Sequence, residues 1–346
     1  MTIAVWAPSS DFPNSGQFIV ETLLSFTQQH PGRKFFMLTD TEWDDIFPEN
    51  TGNIVLKSQP ENALLKKIWW DVRLPGVLRK IKADYFISFE NRCSLAISIP
   101  QAILIQPTDK IKPSFIKKAR LIFVPGESIK RQLKEKYQVE DQKIAVIRPF
   151  AARHFKAADD KEKDHIRSTY SDGKEFFLCS SFFSRNEDLI ELLKSFSHFK
   201  KRQQSSFNLL LLTASNSLIE KSLSSYKYRS DIKLIKTKND LAAITAAAYA
   251  VLVPFDSNDD MFTALNSMRS GVPVIAKRNA VISEVAGDAV LYAEDEVKDV
   301  GDKMMQLYKD ETYRSLLIEK GRSLAAVLTP EKTAEHLWQS IMKGLP

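Results

Sequence analysis

Short apolar runs alternate along this chain with longer stretches whose apolar positions recur every three or four residues. The runs at 2–7, 34–38, 54–56, 85–88, 102–105, 121–124 and 144–147 read as buried strands. Between them, 17–28, 63–82 and 127–137 carry helical spacing; Phe18, Ile19, Leu23, Leu24 and Phe26 share one helix face. Pro75-Gly76 predicts a kink in the second of these helices. The second half repeats the alternation, with strands at 175–179, 207–212, 232–235, 250–253, 272–275 and 290–292. Its helices fall at 187–200, 241–249, 262–270, 297–307, 313–325 and 330–343. Strand following helix in this way predicts parallel sheets covered on both faces. The expected architecture is α/β: two Rossmann-like, doubly wound domains facing a cleft. The first spans 1–150, a polar linker 151–173, and the second domain 174–330. A C-terminal helix, 331–346, follows, and its return to the first domain is one option.

A chain of 346 residues, 44% hydrophobic and 27% charged, fits a soluble protein of two ordinary domains. Cys93 and Cys179 both lie in apolar runs, so buried free thiols are expected rather than a disulfide, in keeping with a reducing compartment. No basic flank precedes the first apolar run, which soon reaches Pro8, so no secretory signal is expected. No apolar run approaches the roughly 18 residues of a spanning helix. The expectation is a cytoplasmic protein, with the inner membrane face as an option. The net charge of +6 is uneven: residues 1–65 hold 3 Lys and Arg against 8 Asp and Glu, residues 66–148 hold 18 against 8. Such a block suits an anionic lipid surface or a phosphorylated ligand, and equally a set of solvated helix faces. No motif for nucleic acid accompanies it. The histidines (30, 154, 165, 198 and 336) show no metal-ligand spacing; His154, beside Arg153 after Pro149, is kept as a minor candidate.

Four segments point to a family. Residues 249–254 are Tyr-Ala-Val-Leu-Val-Pro, 258–270 a helix-forming stretch, 271–275 Gly-Val-Pro-Val-Ile, and 283–289 Ser-Glu-Val-Ala-Gly-Asp-Ala. Together they resemble the donor-site region of family 4 retaining glycosyltransferases of the GT-B class. Upstream, 118–124, Ser128, 143–147 and 188–196 match that family in order and spacing, so the resemblance covers roughly residues 80–340. It implies a nucleoside-diphosphate sugar, UDP- or GDP-linked, at the carboxyl ends of the second domain's strands. Helix N-termini and basic side chains would hold the departing diphosphate. It implies no cofactor, no metal, and a glycan or lipid-linked acceptor.

This sequence departs from the family's pattern at its charged positions. The two family glutamates, with seven residues between them, fall on Asn258 and Asn266, amides that can still bond sugar hydroxyls. Ser181 and Phe182 stand at the family Gly-Arg pair, and Glu187 at its Lys, where it also completes a capping box with Ser184. Arg185, two residues away, is the candidate compensating charge. Asp259 and Asp260 replace glycine-rich sequence and suit a helix cap. Gln106 occupies the place of a family His, and Gly16 ends the segment matching its glycine-rich loop. Arg185, Asn258 and Gln106 are thus the candidates for catalysis. Gly16, Ser181, Asn258, Met261, Phe262, Thr263 and Asn266 are the candidates for holding the donor. The first functional reading is a divergent hexosyltransferase of glycan or cell-surface polysaccharide synthesis. The alternative is a catalytically degenerate relative acting as a binding or scaffolding subunit. A third is peripheral membrane contact through 66–148, with Trp69 and Trp70 beside Lys66 and Lys67 either at an interface or in the core.

Overall fold

The computed structural model describes residues 1–344 except 9–12, 44–45, 57–59, 61, 107–110, 181–185, 204–205, 213–218, 220–221, 237–239, 256–258 and 295–296; the side chains of 13–15, 186 and 297 are likewise left aside. The chain forms two compact units, Met1–Pro149 with Thr329–Pro346, and Phe150–Leu328. Each is built on one parallel sheet with helices between most of its successive strands.

The first sheet has seven strands: β1 (Thr2–Trp6), β2 (Lys34–Thr39), β3 (Thr51–Val55), β4 (Tyr85–Ser88), β5 (Gln101–Leu104), β6 (Leu121–Val124) and β7 (Ile144–Val146). Their order is β3-β2-β1-β4-β5-β6-β7, and every pair is parallel. The direction of winding reverses between β1 and β4, where Ile3 lies opposite Tyr85. Helix α1 (Pro13–Gln28) begins earlier than its apolar spacing suggests and takes in Gly16, expected at the end of a loop. Proline suits a first helical turn because the N–H it lacks has no intrahelical partner there.

The 63–80 segment breaks where a π turn intervenes: α2 (Ala63–Ile68), a π turn (Trp69–Arg73), then α3 (Leu74–Lys80). The amide of Leu74 donates to the carbonyl of Trp69, five residues back. Pro75 itself sits in the first turn of α3, so the change of register precedes it rather than centring on it. Trp69 and Trp70 are both buried, against Trp6 and Phe86, which assigns them to the core and not to an interface. The apolar side chains this segment leaves exposed are Leu64, Leu65, Ile68 and Val72. Cys93 is buried with its thiol against the Phe115 carbonyl, and burial pushes its pKa up to about 12.

The C-terminal helix (Pro330–Gly344) belongs to this first unit. Its Trp338 stacks on His30 and lies against Phe26, while Thr333 Oγ1 donates to the Arg148 carbonyl.

The second sheet has the order β10-β9-β8-β11-β12-β13, again all parallel. These strands are β8 (Phe176–Cys179), β9 (Asn208–Leu212), β10 (Ile232–Ile235), β11 (Ala250–Val253), β12 (Val274–Lys277) and β13 (Leu291–Ala293). The polar stretch expected to be linker contains a regular helix, Asp160–Ser171. It starts on a capping box: the Glu162 amide donates to Asp159 Oδ1 at 2.8 Å, and the Asp159 amide to Glu162 Oε2 at 3.0 Å. It ends where Asp172 and Gly173 turn left-handed, φ 54° and 74°. A helix held by its caps and by surface ion pairs such as Arg167 with Glu175 carries little apolar periodicity, so its polar composition resembled a linker's.

Candidate functional site

In the second sheet the chain winds outward from β8 to β10, crosses back to β11 beside β8, and continues to β13. The switch point therefore lies between β8 and β11, where Val251 pairs with Leu178. Open parallel sheets bind ligands outside the carboxyl ends of the strands at such a point, because the two connecting loops diverge there and leave a crevice. The segments following β8 and β11 carry most of the candidates. Ser181 and Arg185, with Phe182 and Ser184, lie outside the described residues, and so does Asn258.

The helix after β11 runs Asp260–Arg269, and it carries Met261, Phe262, Thr263 and Asn266 together. All four are buried, and so are Asp259 and Asp260 at its start. Asp259 is the N-cap residue but makes no capping bond through its side chain. The helix end is a Schellman motif: the Val272 amide donates to the Ser267 carbonyl and that of Gly271 to the Met268 carbonyl, with Gly271 at φ +71°. Glycine is required by that positive φ, and a Cβ there would also meet the Arg322 guanidinium.

Asn266, 2% exposed, has a defined partner. Its Oδ1 accepts from the Ala152 amide at 2.8 Å. One turn later Arg269 Nε donates to the Phe155 carbonyl at 3.0 Å. The same helix face thus fastens the 150–155 segment. Arg153 and His154 stand exposed between these two anchor points. Arg269 and the Ala152 amide were not foreseen from sequence. The only available signal was an Asn and an Arg three apart on one helix face, which is weak.

Glu187 is exposed in the first turn of the helix Asn186–Gln203, and Asp188 beside it is buried. Carboxylates at a helix N-terminus are favourably placed against its dipole. In the first unit, Gly16 and the half-buried Gln106 belong to segments that follow β1 and β5, at the carboxyl edge of that sheet. Among the described residues no cluster of His, Cys, Asp and Glu could hold a metal ion, and no helix is long and apolar enough to cross a membrane.

Two parallel α/β units of this topology define the GT-B class of fold. Residues 160–324 match the family of glycosyl transferases group 1. That match lies within the second unit and covers just under half of the chain; the protein is an enzyme of the glycosyltransferase type. No curated protein matches the chain in sequence. Among solved structures it is similar to a glycosyltransferase from Rickettsia africae ESF-5, with TM-score 0.78 at 13% identity over 99% of this chain and 98% of that one. It is also similar to WaaG, a glycosyltransferase involved in lipopolysaccharide biosynthesis, with TM-score 0.76 at 14% identity over 97% and 99%. Anabaena HepE in complex with UDP-glucose superposes with TM-score 0.76 at 11% identity over all of both chains.

Proposed function

We propose that this protein moves a sugar from a UDP- or GDP-linked donor to an acceptor hydroxyl with retention of configuration, in the synthesis of a glycan or cell-surface polysaccharide. The observation that carries this reading is the switch point between β8 and β11, with a helix starting at Asp260 just beyond it, inside the segment that matches the group 1 glycosyl transferases. In this reading Arg185 supplies positive charge to the departing diphosphate, the largest demand of the reaction. Asn258 bonds the transferred sugar and Asn266 the ribose, while Ser181, Met261, Phe262 and Thr263 shape the donor's bed. Gln106, from the first unit, is the further candidate for catalysis as a hydrogen-bonding partner of a sugar hydroxyl, and Gly16 is a candidate for holding the donor. The acceptor oxygen attacks the anomeric carbon on the face the diphosphate leaves, and the departing phosphate oxygen takes the hydroxyl proton. UDP-glucose bound to HepE supports a nucleotide-sugar donor, with UDP the first nucleotide to try.

Isothermal titration of the full chain with UDP and GDP tests the reading. One of them is expected to bind, and Arg185→Ala to weaken it about tenfold, or about 1.4 kcal/mol. Absence of heat with either nucleotide, together with no turnover of their sugars, would leave a non-catalytic subunit as the surviving account.

The basic 66–148 block supports a partner for the acceptor side. Leu64, Leu65, Ile68 and Val72 are exposed beside Lys66 and Lys67, a pairing of apolar and cationic side chains suited to an anionic bilayer carrying a lipid-linked acceptor. Co-sedimentation with vesicles should rise with phosphatidylglycerol content and fall at least fivefold in Ile68→Glu/Val72→Glu. Binding that ignores both changes refutes the contact.

A further inference from the structure

The amino edge of the first sheet, opposite the edge that carries Gly16 and Gln106, holds an open groove of about 720 Å³. Its floor is made by the residues that lead into three adjacent strands: 98–100 before β5, Ala119 and Arg120 before β6, and Gln142 and Lys143 before β7. One wall is the end of the helix Glu127–Tyr137, where Gln138 turns left-handed at φ 53° and swings the chain into Val139 and Glu140. Another is the end of the C-terminal helix.

Five cations border this space: Lys117, Lys118, Arg120, Lys143 and Lys343. Among the described residues the one carboxylate on the lining is that of Glu140, which accepts from Gln142 Nε2. None of the five cations forms an ion pair among the described residues. Arg120 Nε donates instead to the Gly344 carbonyl at 2.7 Å, and Lys143 Nζ to the Lys117 carbonyl at 3.1 Å. Both bonds go to neutral carbonyls, so they hold these two cations at the groove without neutralising them. Lys143 is half-buried, and burial lowers its pKa; the Cys93 and Glu140 side chains oppose this shift and the Arg120 guanidinium adds to it. The neighbouring acid, Asp141, is already taken by Lys130 and Lys134 on the helix side. Five cations gathered around one carboxylate raise a local positive potential that an incoming anion discharges.

The geometry points to a binding site for a phosphate-bearing ligand with more than one anionic group, held along the amino ends of β5, β6 and β7. Three strands span roughly 10 Å, too wide for one carboxylate and suited to repeated phosphate groups. A volume of about 720 Å³ lies in the range of small-ligand sites. The Arg120 guanidinium retains two NH2 groups for bidentate contact with phosphate oxygens. This site belongs to the first unit and is independent of the donor site proposed for the second.

Inorganic tripolyphosphate is the soluble probe, and vesicles containing phosphatidylglycerol probe a lipid headgroup as the source. The test variant is Lys118→Ala/Lys343→Ala, two exposed side chains that make no hydrogen bond or ion pair among the described residues, so folding should be preserved. Lys201→Ala/Lys309→Ala removes the same charge from exposed positions in the second unit. Tripolyphosphate should bind the wild type, bind the groove variant at least tenfold more weakly, and bind the control pair within twofold of wild type. Arg185→Ala should leave that difference intact, which separates this site from the donor loop. Loss of tripolyphosphate with vesicle binding retained supports a soluble phosphorylated ligand; loss of both supports a headgroup. No binding by the wild type, equal losses in the two pairs, or loss of vesicle binding alone overturns the proposal.

Discussion

Gly301→Val is expected to destabilise the second unit by on the order of 3 kcal/mol. Gly301 lies in the helix Val297–Lys309, which packs along the helix Asn186–Gln203 as the most extensive helix pair of that unit. A Cβ at 301 would stand 2.6 Å from the Ser195 carbonyl oxygen and 3.1 Å from the His198 side chain. The nearest obstacle is backbone of another helix, so no rotamer change relieves it, and the two helices must separate. Separation would open the core around Phe196, Phe199, Met304 and Met305, where packing is dense. Gly321→Ala provides the contrast. Its Cβ would meet Met268 Cγ at 2.9 Å, which a rotamer change can move, and Met268 Cβ at 3.1 Å, which yields only by a small shift of the helix. Ala also gains about 1 kcal/mol of helix propensity over Gly, which offsets part of that cost, so this variant should lose less stability than Gly301→Val. Thermal unfolding followed for the second unit should show a fall of roughly 6–12 °C for Gly301→Val. An unchanged midpoint would mean that the helices do not approach this closely.

Asn266→Leu should cost about 2 kcal/mol, because the Ala152 amide would remain buried without its acceptor. Leucine keeps the branched shape of asparagine but is bulkier, so overpacking at this buried position adds to the loss. Asn266→Asp keeps an acceptor oxygen at that place and should recover at least half of the stability at neutral pH. The two variants also separate two roles. If Asn266 serves only the 150–155 segment, nucleotide affinity follows stability across the pair. If it also bonds the ribose, Asn266→Asp keeps or improves UDP binding while Asn266→Leu loses it. Chemical denaturation and titration on the same samples read both.

The site candidates were legible to very different degrees. Asn266 was picked out by its offset from Gly271, and that offset places it correctly on the helix that follows β11. Its hydrogen bond to Ala152 was not legible, because the two residues are 114 positions apart and no local pattern links them. Arg269 was missed for the same reason: a basic residue in the last turn of a helix already has an ordinary explanation in the helix dipole. In the basic block, composition marked the charge but could not tell a solvated lysine from one gathered at a groove.

The strands of both sheets, their parallel sense, and most of the helices between them follow from the chain's own pattern. A run of four or five apolar residues is buried on both faces wherever it pairs, so it needs no knowledge of its partner to be recognised. The helix at 160–171 escaped this logic because caps and ion pairs sustain it and its apolar stripe is slight. Tertiary structure alone decided which strands became neighbours, the burial of Trp69 and Trp70 in place of Leu64 and Ile68, and the return of the C-terminal helix to lay Trp338 on His30. Each of these is a choice between surfaces of similar hydrophobicity, and only the shapes that meet across long stretches of chain distinguish them.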